Sequence, residues 1–271
     1  VLANASSIVR NDTAAAQMEI AMRYQKGEIM GYLGSKAVSG AYQKIIASMP
    51  PHDTYIETHL GSGAVMFYKP RALRNYGADL DETARIQTLQ RWKDQGIKPP
   101  SLDFFHGDAV YFLEGLKLNG VITGVSGFAK LGRVLVYCDP PYMPETRTSR
   151  ARYRYEYTVA DHERLLACLM SLPENVSVIL SGYPSRLYDE TLAGWRSMEF
   201  QAMTRGGVRT EKIWMNYPEG AAYSAAFAGK DYIDRQRIKR KAARWAEKYR
   251  TMPHAERLAV MAELMKVDVS N

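Results

Sequence analysis

Apolar positions along the chain switch between two spacings, and the switching predicts strands alternating with helices. Ala14 to Gln25, preceded by Asp12-Thr13 and followed by Gly27, predicts a capped helix. A second helical stretch from about Ser39 to Ser48 is stopped by Pro50-Pro51. Thr54 to Thr58 reads as a short strand running into Gly61-Ser62-Gly63 and a helix that begins near Ala64. Tyr76 to Leu80 predicts a second strand ending in acid, Asp81 to Trp92 a helix, and Asp103 to His106 a third strand followed by Gly107-Asp108. Arg133 to Cys138 is a β-rich run leading into Asp139-Pro140-Pro141-Tyr142. Beyond it lie a basic, aromatic stretch from Arg147 to Tyr157, expected as a surface loop, and a helix from Ala160 to Ser171. Strands from Val176 to Ser181 and from Glu211 to Tyr217 come next, and two helices, about Asp231 to Tyr249 and Pro253 to Met265, close the chain.

Such alternation predicts an α/β fold, a mostly parallel sheet with helices on both faces. The 271 residues divide into an N-terminal helical extension (1–28), an α/β domain (29–220) and a C-terminal basic helical segment (221–271). Ligands in open α/β sheets collect at the carboxyl ends of the strands. Gly61 to Gly63, Asp79, Asp108 and Asp139 are each expected at such an end, and this shared placement carries more weight than any one motif.

Charge changes the picture in one place. Between Lys230 and Arg250 nine basic residues face three acidic ones, so nearly all of the net charge of +7 sits in one segment. A solvated basic helix and a polyanion-binding surface both produce that pattern. Ile238, Ala242, Trp245 and Tyr249 add an apolar stripe to this helix. Two cysteines, Cys138 and Cys168, lack any paired spacing, so neither a disulfide framework nor a metal site is expected. No apolar run approaches the ~20 residues of a membrane span. Val1 to Arg10 lacks the pattern of a secretory leader, and the expected location is the cytoplasm without membrane attachment.

Glycines at 61 and 63 permit a sharp turn and a close approach of backbone to a ligand, although a plain strand-to-helix turn uses them equally well. Asp79, after the next strand, is placed where a carboxylate accepts ribose hydroxyls, a role it is better placed for than Asp81; a solvated turn carboxylate is the other reading. Met66 breaks the longer glycine fingerprint of dinucleotide sites, which argues for a nucleoside cofactor without a pyrophosphate. Asp139-Pro140-Pro141-Tyr142 is the strongest signal. The two prolines donate no hydrogen bond, so the carboxylate and nearby carbonyls present acceptors only, the complement of an exocyclic amine. Tyr142 offers a flat face for a planar base, and together these describe a pocket for a flipped-out base. A strand-ending turn with a packed tyrosine is the bland alternative.

Over roughly residues 30 to 218 these motifs, in this order, resemble the Dam-like family of DNA adenine N6-methyltransferases. The resemblance implies a Rossmann-like methyltransferase fold, S-adenosylmethionine as cofactor and DNA as partner. It gives Tyr32 the role of stacking on the cofactor adenine and Lys36 that of meeting the cofactor carboxylate. Glu57, Gly61, Ser62 and Gly63 fall on the methyl-donor motif, Asp79 on the ribose acid and Asp108 on the acid near the cofactor adenine. Asp139, Pro140, Pro141 and Tyr142 fall on the catalytic motif, with Asp139 and the Pro140 carbonyl orienting the amine for direct displacement. Cys138 is read as a buried strand residue.

Departures from the family pattern carry information. His59 stands where a Phe is usual and is read as a substitute of shape, and Gly31 stands where a basic residue often reads the target. Only about 58 residues separate Asp81 from Asp139, which leaves a much reduced target-recognition region and implies short or relaxed specificity. Phosphate contacts are expected from Arg147, Arg150, Arg152 and Arg154 and from Arg235, Arg237, Lys239, Arg240, Lys241 and Arg244. Cytosine N4 in DNA, adenine in RNA and a catalytically silent nucleic-acid-binding module are the rival expectations.

Overall fold

A computed structural model describes residues 36, 41–94, 102–120, 123–146, 153–204, 207–220 and 232–269. The expected helix at 14–25, together with Tyr32, Arg147, Arg150 and Arg152, lies outside the described residues. The chain divides into two compact units, the break falling after Tyr223.

In the first unit the chain runs α1 (Ala41–Ala47), β1 (Thr54–Glu57), α2 (Ala64–Tyr68), β2 (Arg74–Asp79), α3 (Thr83–Asp94), β3 (Asp103–His106), α4 (Ala109–Lys117) and β4 (Val134–Cys138). It continues through α5 (Val159–Met170), β5 (Val176–Gly182), α6 (Arg186–Thr191), β6 (Arg196–Thr204) and β7 (Gly207–Met215). The seven strands form one sheet in the order β3-β2-β1-β4-β5-β7-β6. Neighbours from β3 to β5 run parallel, and β7 is antiparallel to both β5 and β6. This is the Rossmann-like, mostly parallel architecture expected from the sequence.

The central strand β4 (VLVYC) is buried at every position, as a strand covered on both faces must be. Val134, Val136 and Cys138 pack with Phe112, Leu113 and Leu116 of α4 and with Leu165, Leu166 and Leu169 of α5. The intervening Leu135 and Tyr137 are equally buried and belong to the opposite face. Each such Val or Leu contributes about 1.5–3 kcal/mol. Helix α5 begins with a capping box: Thr158 accepts from the Asp161 N–H, and Asp161 accepts from the Thr158 N–H.

Four elements depart from the sequence expectations. Ala109–Lys117 is a helix capped by Asp108, whose side chain accepts from the Tyr111 N–H at 2.8 Å. The short helix α6 was unforeseen. So was β6, where Phe200 and Ala202 are buried and Glu199 and Gln201 exposed, and the late strand begins at Gly207 rather than Glu211 because it pairs with β6.

Order reverses between β1 and β4: the chain builds β2 and β3 on one side of β1, then returns to lay β4 on the other. Ligands sit at the carboxyl ends of strands beside such a switch point. Glu57 pairs in register with Tyr137 there, two residues before Asp139.

The second unit holds α7 (Tyr232–Thr251) and α8 (His254–Val269). The Tyr249 hydroxyl donates to the Arg257 carbonyl at 3.2 Å and ties the two helices. Arg237, Lys239, Arg240, Lys241 and Arg244 are exposed and Arg235 half-buried; Trp245 on the same helix is 60% exposed. Among the described residues no helix is long and apolar enough to cross a membrane.

Candidate active site

A cleft lies at the carboxyl ends of β1, β2 and β4. Its walls include Glu57 to Ser62, Asp79, Gly107, Asp139 to Pro141 and the segment from Tyr153 to Tyr157. Leaving β1, the chain is pinned to β2 by the Leu60 N–H, which donates to the Ala78 carbonyl at 3.0 Å. Gly61 and Gly63 then take φ of 48° and 60°, the left-handed region that glycine occupies without strain. A Cβ at position 63 would sit 2.4 Å from Thr88 Oγ1, so α3 can close on this loop only because residue 63 is glycine.

Asp79 is bound into the same loop. Its Oδ2 accepts from the Gly61 N–H at 2.7 Å and its Oδ1 from the Asp81 N–H at 2.8 Å. It is buried yet on the cleft wall. Asp81 is used differently. It accepts from the Thr83 N–H and hydroxyl and, through both oxygens, from Arg154 at 3.0 Å. Asp79 lines the cleft and Asp81 does not. The geometry also places Arg154, expected on phosphate, beside this cleft.

Ser62 lines the cleft, and so does Glu57, which accepts from the Tyr55 hydroxyl at 3.0 Å. Burial pushes the Glu57 carboxyl up to about 8. Asp108 is absent from the cleft wall, where Gly107 and Ala109 stand instead. Its carboxylate caps α4 and pairs with Arg164 at 2.7 and 2.9 Å. Burial opposes that charge, but the Arg164 bonds outweigh it and hold the carboxyl below its ordinary value.

His59 does more than fill space. Nε2 lies 2.9 Å from the Tyr157 hydroxyl and Nδ1 2.9 Å from Thr58 Oγ1, which donates to Cys138 Sγ at 3.1 Å. One polarity satisfies this chain: Tyr157 donates to Nε2, Nδ1–H donates to Thr58, and the imidazole is neutral. Burial lowers His59 to about 3 and raises the Cys138 thiol to about 12.

Asp139 follows β4 directly, and Lys36 comes to it from 103 positions away. Lys36 Nζ donates to both Asp139 oxygens at 2.7 Å and lies 3.9 Å from Glu211 Oε2 and 4.8 Å above the Tyr142 ring. Burial works against the lysine charge, but the two carboxylates outweigh it and raise Lys36 above its ordinary value. The family resemblance implies that Lys36 meets a cofactor carboxylate; in the structure its ammonium pairs with Asp139. Tyr142 is buried beneath it, edge-on to Tyr183 at 4.5 Å, and is not on the cleft wall.

Glu211 of β7, Tyr153, Tyr155, Tyr157 and Arg164 were not singled out from sequence. Glu211 carried a signal: it is an acid on the strand face that buries Ile213 and Met215.

No family model matches the chain, and no curated protein sequence does. Among solved structures, a putative RNA methyltransferase from Pyrococcus horikoshii covers 74% of this chain and 97% of its own at 11% identity and a TM-score of 0.41. An rRNA methylase from Streptococcus thermophilus covers 66% and 95% at 14% identity and a TM-score of 0.41. A SAM-dependent methyltransferase from Agrobacterium tumefaciens covers 66% and 60% at 14% identity and a TM-score of 0.43. These likenesses are remote and assign no reaction to this chain. What the site offers chemically is a glycine turn joined to a buried acid, facing an aspartate followed by two residues that cannot donate.

Proposed function

We propose that the protein transfers a methyl group from S-adenosylmethionine to an exocyclic amino nitrogen of a nucleic-acid base, and that the base is adenine in DNA, methylated at N6. One observation carries this reading. Asp139 and Pro140 face the same cleft as the Gly61 loop and Asp79, so acceptors for an amine and a nucleoside-sized cradle share one space.

The residues fit such a donor. Gly61 and Ser62 present backbone without bulk, Asp79 offers carboxylate oxygens to ribose hydroxyls, and Gly107 and Ala109 leave room where an adenine edge would lie. When bound, the cofactor supplies an electrophilic methyl on a sulfonium. The protein's own part is orientation. Asp139 and the Pro140 carbonyl accept from the two amine N–H groups and turn the nitrogen lone pair away from the ring, and the Asp139 charge favours the positive charge developing on that nitrogen. Pro140 and Pro141 lack an N–H and so add no backbone donor of their own beside those oxygens. The half-buried His59 and the buried Tyr157, both on the cleft wall, limit water in the site. No nucleophile on the protein is required, in keeping with the buried, hydrogen-bonded Cys138 thiol.

Affinity for the polyanion is assigned to the exposed bases of α7, from Arg237 to Arg244. Between Asp81 and Asp139 the described residues are taken up largely by α3, β3, α4 and β4, which supports the reading that little chain remains for a separate recognition element.

Equilibrium titration with S-adenosylmethionine and with its demethylated product tests the cofactor assignment. Saturable binding of one molecule per chain is expected; failure of both to bind refutes the proposal.

A further inference from the structure

We infer that Glu211 is a positioning residue of the proposed transfer, the second acceptor to which Lys36 turns when the substrate amino group takes its place on Asp139. This rests on the amine-methylation reading and adds a residue to it.

Lys36 donates to both oxygens of Asp139, so the acceptors assigned to the substrate are already filled by N–H donors of the same kind. An entering amine must displace the ammonium from at least one of them. Lys36 is 4% exposed, and a charged ammonium released there with no anion beside it would carry a large desolvation cost. Glu211 Oε2, on β7, stands 3.9 Å from Nζ, in a side chain that is itself only 6% exposed. A movement of about 1 Å brings Nζ into hydrogen-bond distance of it. A flexible four-carbon stem permits such a movement. Tyr142 lies under both positions, its ring below Nζ and its hydroxyl 3.5 Å from Glu211 Oε2, so the ammonium crosses an aromatic face as it passes from one carboxylate to the other. Lys36 thereby holds the place of the substrate amine, and Glu211 makes its withdrawal affordable in a water-poor site.

The test is a double-mutant cycle in the full-length protein with Glu211→Gln and Lys36→Met. Glu211→Gln is expected to lower kcat/KM for DNA by about 10- to 100-fold, with the affinity for S-adenosylmethionine changed less than about twofold. In the Lys36→Met background the same change is expected to cost less than about threefold, because no ammonium is left to receive. The affinity of the four proteins for a single-stranded oligonucleotide, read by fluorescence anisotropy, gives the same cycle where turnover is too slow to follow. Equal losses in both backgrounds, or a matching loss of cofactor affinity, would overturn the role of Glu211 alone. A wild-type protein that transfers no methyl group would overturn the proposed reaction and this inference with it.

Discussion

The Gly61 N–H donates to Asp79 Oδ2 across 2.7 Å, so the glycine turn after β1 and the acid ending β2 form one device. Asp79→Ala should weaken S-adenosylmethionine binding by about 10- to 100-fold, roughly 1.5–3 kcal/mol for charge-assisted bonds lost. Turnover at saturating cofactor should fall far less. Titration calorimetry beside initial rates separates the two, and unchanged affinity would remove Asp79 from the site.

Asp139→Ala and Cys138→Ala, adjacent in sequence, should behave oppositely. The first should cut methyl transfer by about 1000-fold or more, about 4 kcal/mol in barrier, with cofactor affinity held within about threefold. The second should leave turnover near wild type, since burial raises that thiol to about 12 and keeps it protonated. A Cys138→Ala protein that folds, binds cofactor and is inactive would point to covalent chemistry instead.

Stability should depend on pH through Glu57. Burial raises its carboxyl from 4.5 to about 8, so between those values the folded protein holds a proton that the unfolded chain has released. Its contribution is complete below 4.5 and is lost as pH rises toward 8. His59 works the other way: burial lowers it from 6.5 to about 3, and its contribution, complete above 6.5, is lost as pH falls toward 3. Urea unfolding of the cofactor-free protein at several pH values, wild type against Glu57→Gln, isolates the first effect. The variant should gain on the wild type from pH 5 to 8 by up to about 1.4 kcal/mol per pH unit. A pH-independent difference would contradict the protonated state.

Recognition should be short. With α3, β3, α4 and β4 taking up most of the described residues between Asp81 and Asp139, the proposal leaves few of these to read neighbouring bases. Methylome sequencing of DNA from cells expressing the protein should show modified adenines in many contexts or in a site of very few bases. One long recognition sequence would contradict this. Binding should also fall steeply with salt, and replacing Arg240, Lys241 and Arg244 by Ala should reduce that slope.

Much of the fold was legible because strand patterns are local. β3 falls on Asp103–His106 as expected, and β4 on Val134–Cys138, one residue inside its expected span. The helix after Asp108 was not expected, although Ala109, Phe112, Leu113 and Leu116 stand at helical spacing. Reading Asp108 as a cofactor ligand obscured its plainer use as a cap. β6 alternates in the ordinary way at Phe200 and Ala202, and Gly206-Gly207 stands in the sequence as a turn signal after it.

The site divides along the same line. Gly61, Asp79 and Asp139 could be placed from sequence because each ends or follows a strand. The Lys36–Asp139–Glu211 cluster could not, because it joins segments that only the folded sheet brings together. His59 is the intermediate case. Its neighbours Thr58 and Cys138 sit at strand ends the sequence predicted, while Tyr157 reaches it from beyond the catalytic motif.

The most direct measurement is to incubate the protein with isotopically labelled S-adenosylmethionine and, separately, DNA and RNA, then digest each to nucleosides for mass spectrometry. The expected result is labelled N6-methyladenine from DNA, absent with Asp139→Ala. Label confined to RNA or to cytosine, or no label on any exocyclic amine, would contradict the assignment of adenine in DNA as the substrate.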